Sequence, residues 1–195
     1  MRRRRNNTSS FNSTINFINQ ELCSFNLSEY IYLDNIDDYE LELPQISWSY
    51  RTFGMLRDLI IKVKEGISLE PDDVFDHPEI KSELWKKYID KGESHLICHC
   101  DYKGFFVPIN FHSRKLPGTF LSTIGSSMNL RNELVEIAGS LDFTLGNYNP
   151  NHTLLYEQRE NELESDPLGH EKFLVLRLYN MAVASIMYNL VIEII

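Results

Sequence analysis

Leu96-Ile97-Cys98-His99-Cys100, then Asp101-Tyr102-Lys103-Gly104, then Phe105-Phe106-Val107-Pro108-Ile109-Asn110-Phe111 is the stretch on which the fold class turns. Two apolar runs rich in aromatic and branched side chains, separated by a short polar segment ending in glycine, predict a β-hairpin. Pro108 has no N–H to give a neighbour, so the second strand is expected at an edge or with an irregularity. Strand alternation sets Leu96, Cys98 and Cys100 on one face, and Phe105, Val107, Ile109 and Phe111 on one face of the second strand. Matching the apolar faces buries the cysteines and leaves His99 and Asp101 beside the turn. A bulge at Gly104 would shift that register by one residue.

Upstream of the hairpin, Tyr30-Ile31-Tyr32-Leu33 and Leu41-Glu42-Leu43, the latter ended by Pro44, read as short strands. Hydroxyls in Ser47-Trp48-Ser49-Tyr50 can cap a helix running to about Glu65, with Phe53, Leu56, Ile60 and Val63 as its apolar stripe and Gly66 as its stop. Pro78 opens a second helix to about Lys91. Downstream, Ser126 and Ser127 cap a helix to about Leu141. Residues 147 to 165 read as a polar loop, Leu168 to Tyr188 as the longest helix, and Leu190 to Ile195 as a closing strand. The predicted architecture is α+β, a mainly antiparallel sheet with a central hairpin and a C-terminal strand, packed by about four helices.

A chain of 195 residues with 43% hydrophobic content can bury one ordinary core. Two segments are expected: a flexible, basic, Asn/Ser-rich tail over 1–27, and a single α+β domain over 28–195. Phe11, Ile15, Ile18 and Leu22 recur at helical spacing within that tail, so a short amphipathic helix is the alternative. The Arg-rich, acid-poor leader also has the composition of an organellar transit peptide. Asn6 to Ser10 stand where a secretory signal needs apolar residues, and no uninterrupted apolar run reaches bilayer length. Three cysteines, Cys23, Cys98 and Cys100, fit reduced thiols better than a disulfide framework, so a cytoplasmic location is expected.

The formal charge is −9, and with four of the basic residues in Arg2 to Arg5, residues 6 to 195 carry −13. Such a balance repels phosphate backbones and favours basic partners. Nucleic acid and membrane are accordingly not expected as partners. The acidic stretches Asp34 to Glu42 and Glu157 to Asp166 concentrate the charge.

His95, Cys98, His99, Cys100, Asp101 and His112 form the densest set of metal-ligand types. Residues i and i+4 of a strand lie about 13 Å apart. His95 and His99 therefore do not share one ion on the predicted strand, and no metal or other cofactor is expected. His99 and Asp101 on one face can form an oriented imidazole, the basis of an alternative small hydrolase-like or metal-assisted activity. Ile124-Gly125-Ser126-Ser127 lacks the glycine spacing and lysine of a phosphate loop and reads as ordinary helix capping.

Ser47-Trp48-Ser49-Tyr50-x-x-Phe53-x-x-x-Arg57, Gly66-Ile67-Ser68-Leu69 and His99-x-Asp101-x-x-Gly104 together resemble a family of small uncharacterised bacterial proteins with a Trp-Ser-Tyr segment and a His-Ser-Asp-Cys-x-Gly turn. The likeness spans most of residues 45 to 195. It implies a binding patch formed by Trp48, Tyr50, Arg57, His99, Asp101 and Gly104. Through an association of relatives with toxin or phage-related genes, it also implies an immunity-like role. Cys100 and Tyr102 stand where that family has Ser and Cys, so chemistry at those two positions is not carried over. The expected function is an intracellular protein-binding module of immunity or regulatory type, more a binder than an enzyme, with an acidic surface engaging a basic, toxin-like protein.

Overall fold

The computed structural model describes residues 8–31, 50–69, 78–99, 104–112, 124–146 and 161–194. Helix α1 spans Thr8–Ser24, α2 Tyr50–Glu65, α3 Pro78–Lys91, and α4 is the single turn His95–Cys98. Strands β1 (Gly104–Val107) and β2 (Ile124–Ser126) precede α5 (Ser127–Ser140), α6 (Gly169–Tyr188) and β3 (Ile192–Ile194). The class is α+β, as expected. The sheet is mixed, with order β2-β1-β3. β1 runs parallel to β2 (Phe105↔Ile124, Val107↔Ser126) and antiparallel to β3 (Phe105↔Glu193, Phe106↔Ile192).

Alternation along β1 decides what lies on each side of the sheet. Phe106 points into the larger core with Phe53, Leu56, Ile60, Leu134, Val175, Ile192 and Ile194. Phe105 and Val107 point the other way, onto Ile18, Leu22, Tyr30 and Ile124. Helices α2, α5 and α6 cover the first face, with α3 behind them, and α1 covers the second. Burying side chains of this size stabilises by about 1.5–3 kcal/mol each, so both layers contribute to the fold. Gly125, the middle residue of the edge strand β2, lies against the Phe106 ring, and a Cβ there would stand 2.4 Å from the ring and force it to shift.

Several helix ends sit where local chemistry puts them. Ser126 Oγ accepts the Asn129 N–H at 3.3 Å and caps α5. Gly66 follows α2 at φ 65°, a left-handed conformation that favours glycine, and Ile67 N–H returns to the Lys62 carbonyl at 2.9 Å. Asn189 closes α6 in the same conformation at φ 53°.

Three expectations need correction. The hairpin over 96–111 does not form: 95–98 is a helical turn, and β1 takes its partners from β2 and β3. The cause is tertiary. Ser94 Oγ accepts the Ile97 N–H, and the Glu133 carboxylate on α5 accepts the N–H groups of His95 and Leu96. Amides a strand would send sideways are thereby consumed. The sheet, for the same reason, is not purely antiparallel. Thirdly, the segment expected as a solvated tail contains α1, with Ile18 and Leu22 fully buried and the Asn19 side chain bracketing the Tyr30 backbone at 2.7 and 3.2 Å. Residues 1–7, the expected strand at 41–43 and most of the expected loop at 147–165 lie outside the described residues, and Tyr30-Ile31 is not a strand.

Candidate functional site

Of the six residues expected to form a binding patch, Trp48 and Asp101 lie outside the described residues, and Tyr50 is described only as the first residue of α2. The structure does bring Arg57, His99 and Gly104 into one neighbourhood, but inside the core. Arg57 is 0% exposed. Its Nε donates to the Leu96 carbonyl at 3.1 Å, and its guanidinium lies 5.6 Å from the Phe53 ring and 5.3 Å from Trp85. His99, 1% exposed, stacks on Phe106 with centroids 4.1 Å apart and shares Nε2–H with the Phe105 carbonyl at 3.1 Å. Gly104 opens β1 opposite Ile194. Cation–π contact and a backbone acceptor make Arg57 a buried tie between α2 and α4, and not a surface group open to a ligand. His99 is covered in the same way.

A second polar cluster, which sequence reasoning missed, joins α4, α5, β2 and residues 110–111. Glu133, 8% exposed, accepts from Ser94 Oγ, His95 N at 2.6 Å and Leu96 N at 3.3 Å. Burial pushes its carboxyl above the ordinary range, against the lowering effect of those donors and of Lys64. His95 Nδ1 accepts the Ser126 N–H at 3.0 Å, so its proton sits on Nε2 and points to the Phe111 carbonyl at 2.8 Å. The ring is buried and therefore held neutral. Burial brings its pKa down to about 4, the Phe111 carbonyl opposes that fall, and His112 adds to it. Asn129 Nδ2 donates to Phe111 O at 2.6 Å and to Asn110 at 3.2 Å. Each member is committed to backbone or to a neighbour, which makes this a structural clamp. Its signal in the sequence was Glu133 itself, a carboxylate among Leu130, Leu134 and Ile137 on the apolar face of α5.

Cys98 is buried, 3.9 Å from the Tyr88 carbonyl, as a core thiol would be. Cys100, the other member of the pair, lies outside the described residues, as does Asp101. Among the described residues no group of three His, Cys, Asp or Glu is placed to hold a metal ion. Nor, among them, is any helix long and apolar enough to cross a membrane.

Around α2 and α3, acids meet lysines: Glu136 pairs with Lys64 at 3.1 Å, and Glu65 with Lys87 and the Tyr88 hydroxyl. The bonds to Lys87 and Tyr88 lower the Glu65 pKa, while burial and Glu65 push Tyr88 up to about 12. Exposed Glu29 and Glu193 lie in stretches of the sequence that contain no lysine or arginine, residues 6–50 and 178–195. Runs without any lysine or arginine, Asp34 to Glu42 and Glu70 to Asp76, precede and follow α2 in sequence.

Neither a curated protein nor a solved structure matches the chain. A protein-family model does, over residues 5–194, which spans α1 through β3 and so takes in both layers of the core. With nearly the whole fold inside that match, the chain belongs to the family described as "Putative DNA-mimic protein".

Proposed function

We propose that this protein is an acidic binding module that occupies the DNA-contacting surface of a DNA-binding protein. The observation that carries the reading is the family match over residues 5–194, joined to a formal charge of −9. A surface that meets DNA is built to neutralise phosphates with Lys and Arg, and its affinity falls steeply with salt. Carboxylates held on a folded scaffold answer the same cations, with the same salt dependence. The partner class thus moves from the toxin-like protein expected from sequence to a protein that ordinarily binds DNA. The binder remains preferred over the hydrolase-like alternative, because the ring that would serve as base is stacked inside the core. An intracellular site of action follows from the partner class as part of the same proposal.

The test is competition. Host proteins retained on immobilised duplex DNA are challenged with the full chain at low salt, and each protein released is then shown to rebind DNA once the chain is removed. Release that fades as salt rises supports the reading. If no DNA-bound protein is displaced at any salt concentration, the reading fails.

A further inference from the structure

The sequence contains two long stretches with no lysine or arginine, residues 6–50 and 178–195, separated by most of the chain. The fold puts them side by side. The Asn19 side chain of α1 holds the Tyr30 backbone, the Tyr30 hydroxyl donates to the Asn189 carbonyl at 2.6 Å, and Asn189 Nδ2 donates to the Ile31 carbonyl at 2.8 Å. Phe17 of α1 lies 6.1 Å from Phe105, ring to ring, and Glu193 stands directly opposite Phe105 in the β1–β3 ladder. Opposed residues of a ladder share a face, so Glu193 projects to the α1 side of the sheet.

This corner therefore carries exposed Glu29 and Glu193 and, among the described residues, no cation drawn from either stretch. The two most exposed large apolar side chains of the described protein lie next to these contacts in the chain: Ile31, 72% exposed, follows Tyr30, and Met187, 58% exposed, stands two residues before Asn189. The C-terminal end of α6 adds the negative pole of a 20-residue helix. The lysines of α3, Lys81, Lys86, Lys87 and Lys91, belong instead to a helix that packs on α2 and α4, where a cationic partner would meet repulsion as well as attraction.

We infer that the docking face is this corner, built from α1, residues 29–31, the end of α6 and β3, and that its occupant is the cationic DNA-contacting surface of the partner. Charge complementarity chooses the face. Ile31 and Met187 supply the apolar contact that would slow dissociation once the surfaces meet. The inference rests on the function proposed above and adds to it the location of the site.

The experiment uses the DNA-binding protein displaced in the competition assay, and reads the concentration of full chain that releases half of it, together with the salt dependence. Glu29→Lys with Glu193→Lys is expected to raise that concentration about tenfold and to flatten the salt dependence. Ile31→Ala with Met187→Ala should raise it too, at an unchanged salt dependence. Glu83→Lys with Asp90→Lys on α3, reversing the same number of charges, should change it less than about twofold. Circular dichroism and melting on each variant exclude loss of fold. An α3 pair that weakens displacement as much as the corner pair, or a corner pair without effect, overturns the location while leaving the proposed function standing. Failure of the unmodified chain to displace any protein removes the function itself.

Discussion

Two helical segments that start from serine caps behave differently as sequences. α5 begins after Ser126, runs for 14 residues with Leu130, Leu134 and Ile137 at helical spacing, and is legible on sight. α4 begins after Ser94, lasts four residues, and is made of His95, Leu96, Ile97 and Cys98, none of which commits so short a segment to a helix. The cap chemistry is nearly the same: each serine Oγ accepts an amide three residues on, at 3.3 Å from Asn129 and 3.0 Å from Ile97. What differs is the second acceptor. α4 needs the Glu133 carboxylate, 38 residues away, to take its first amides, whereas α5 has enough turns to stabilise itself by packing. A capping serine therefore announces a helix only when the following residues can sustain one.

That contrast can be broken most directly at Glu133. Replacing it with Ala strands the Ser94 hydroxyl and the amides of His95 and Leu96 in a buried site, and the expected loss is about 4 kcal/mol by urea denaturation. Loss of amide-exchange protection at 95–98 should exceed that at 130–137. Equal protection loss in both segments would mean that α4 is no more dependent on its distant partner than α5.

His95 sharpens the comparison through pH, because it joins the two segments at the Ser126 amide. Its folded pKa, about 4, lies below the unfolded 6.5, so the folded state prefers the neutral ring. Its contribution is complete above about 6.5 and is lost as pH falls toward 4. The full span corresponds to about 3 kcal/mol. Glu133 titrates in the opposite sense, since a carboxyl whose pKa is raised by burial favours the folded state more as it becomes protonated. The measurement is therefore the difference in stability between the native chain and His95→Gln across pH 4 to 6.5. A pH-independent difference would show that His95 is not held neutral by the fold. Smallest in effect, Ser126→Ala removes a single cap from a self-sustaining helix and should cost about 1 kcal/mol.

The same reasoning separates what could be read in the candidate site from what could not. Arg57 and His99 were picked out as neighbours, and the structure does set both against Phe53, at 5.6 and 6.1 Å. Their exposure was not legible. Whether a polar side chain faces solvent depends on what packs over it, here Trp85, Phe106 and Gly125, which come from α3, β1 and β2. The acidity of the chain, in turn, was read correctly from composition, but not where its cations would be missing.

By itself the sequence determined the long helices over 50–65, 78–91, 127–140 and 169–188, the closing strand, and the acidic balance. Each of these is a local or additive property: a period of 3.6 sustained over several turns, a cap, a count of charges. Tertiary structure alone decided that 95–98 is a turn, that β1 sits between one parallel and one antiparallel neighbour, and that α1 closes the second face of the sheet. It also decided that residues 6–50 and 178–195 meet at Tyr30 and Asn189. Those outcomes depend on which groups arrive from distant parts of the chain to accept an amide or cover a ring, and no window of neighbouring residues contains them.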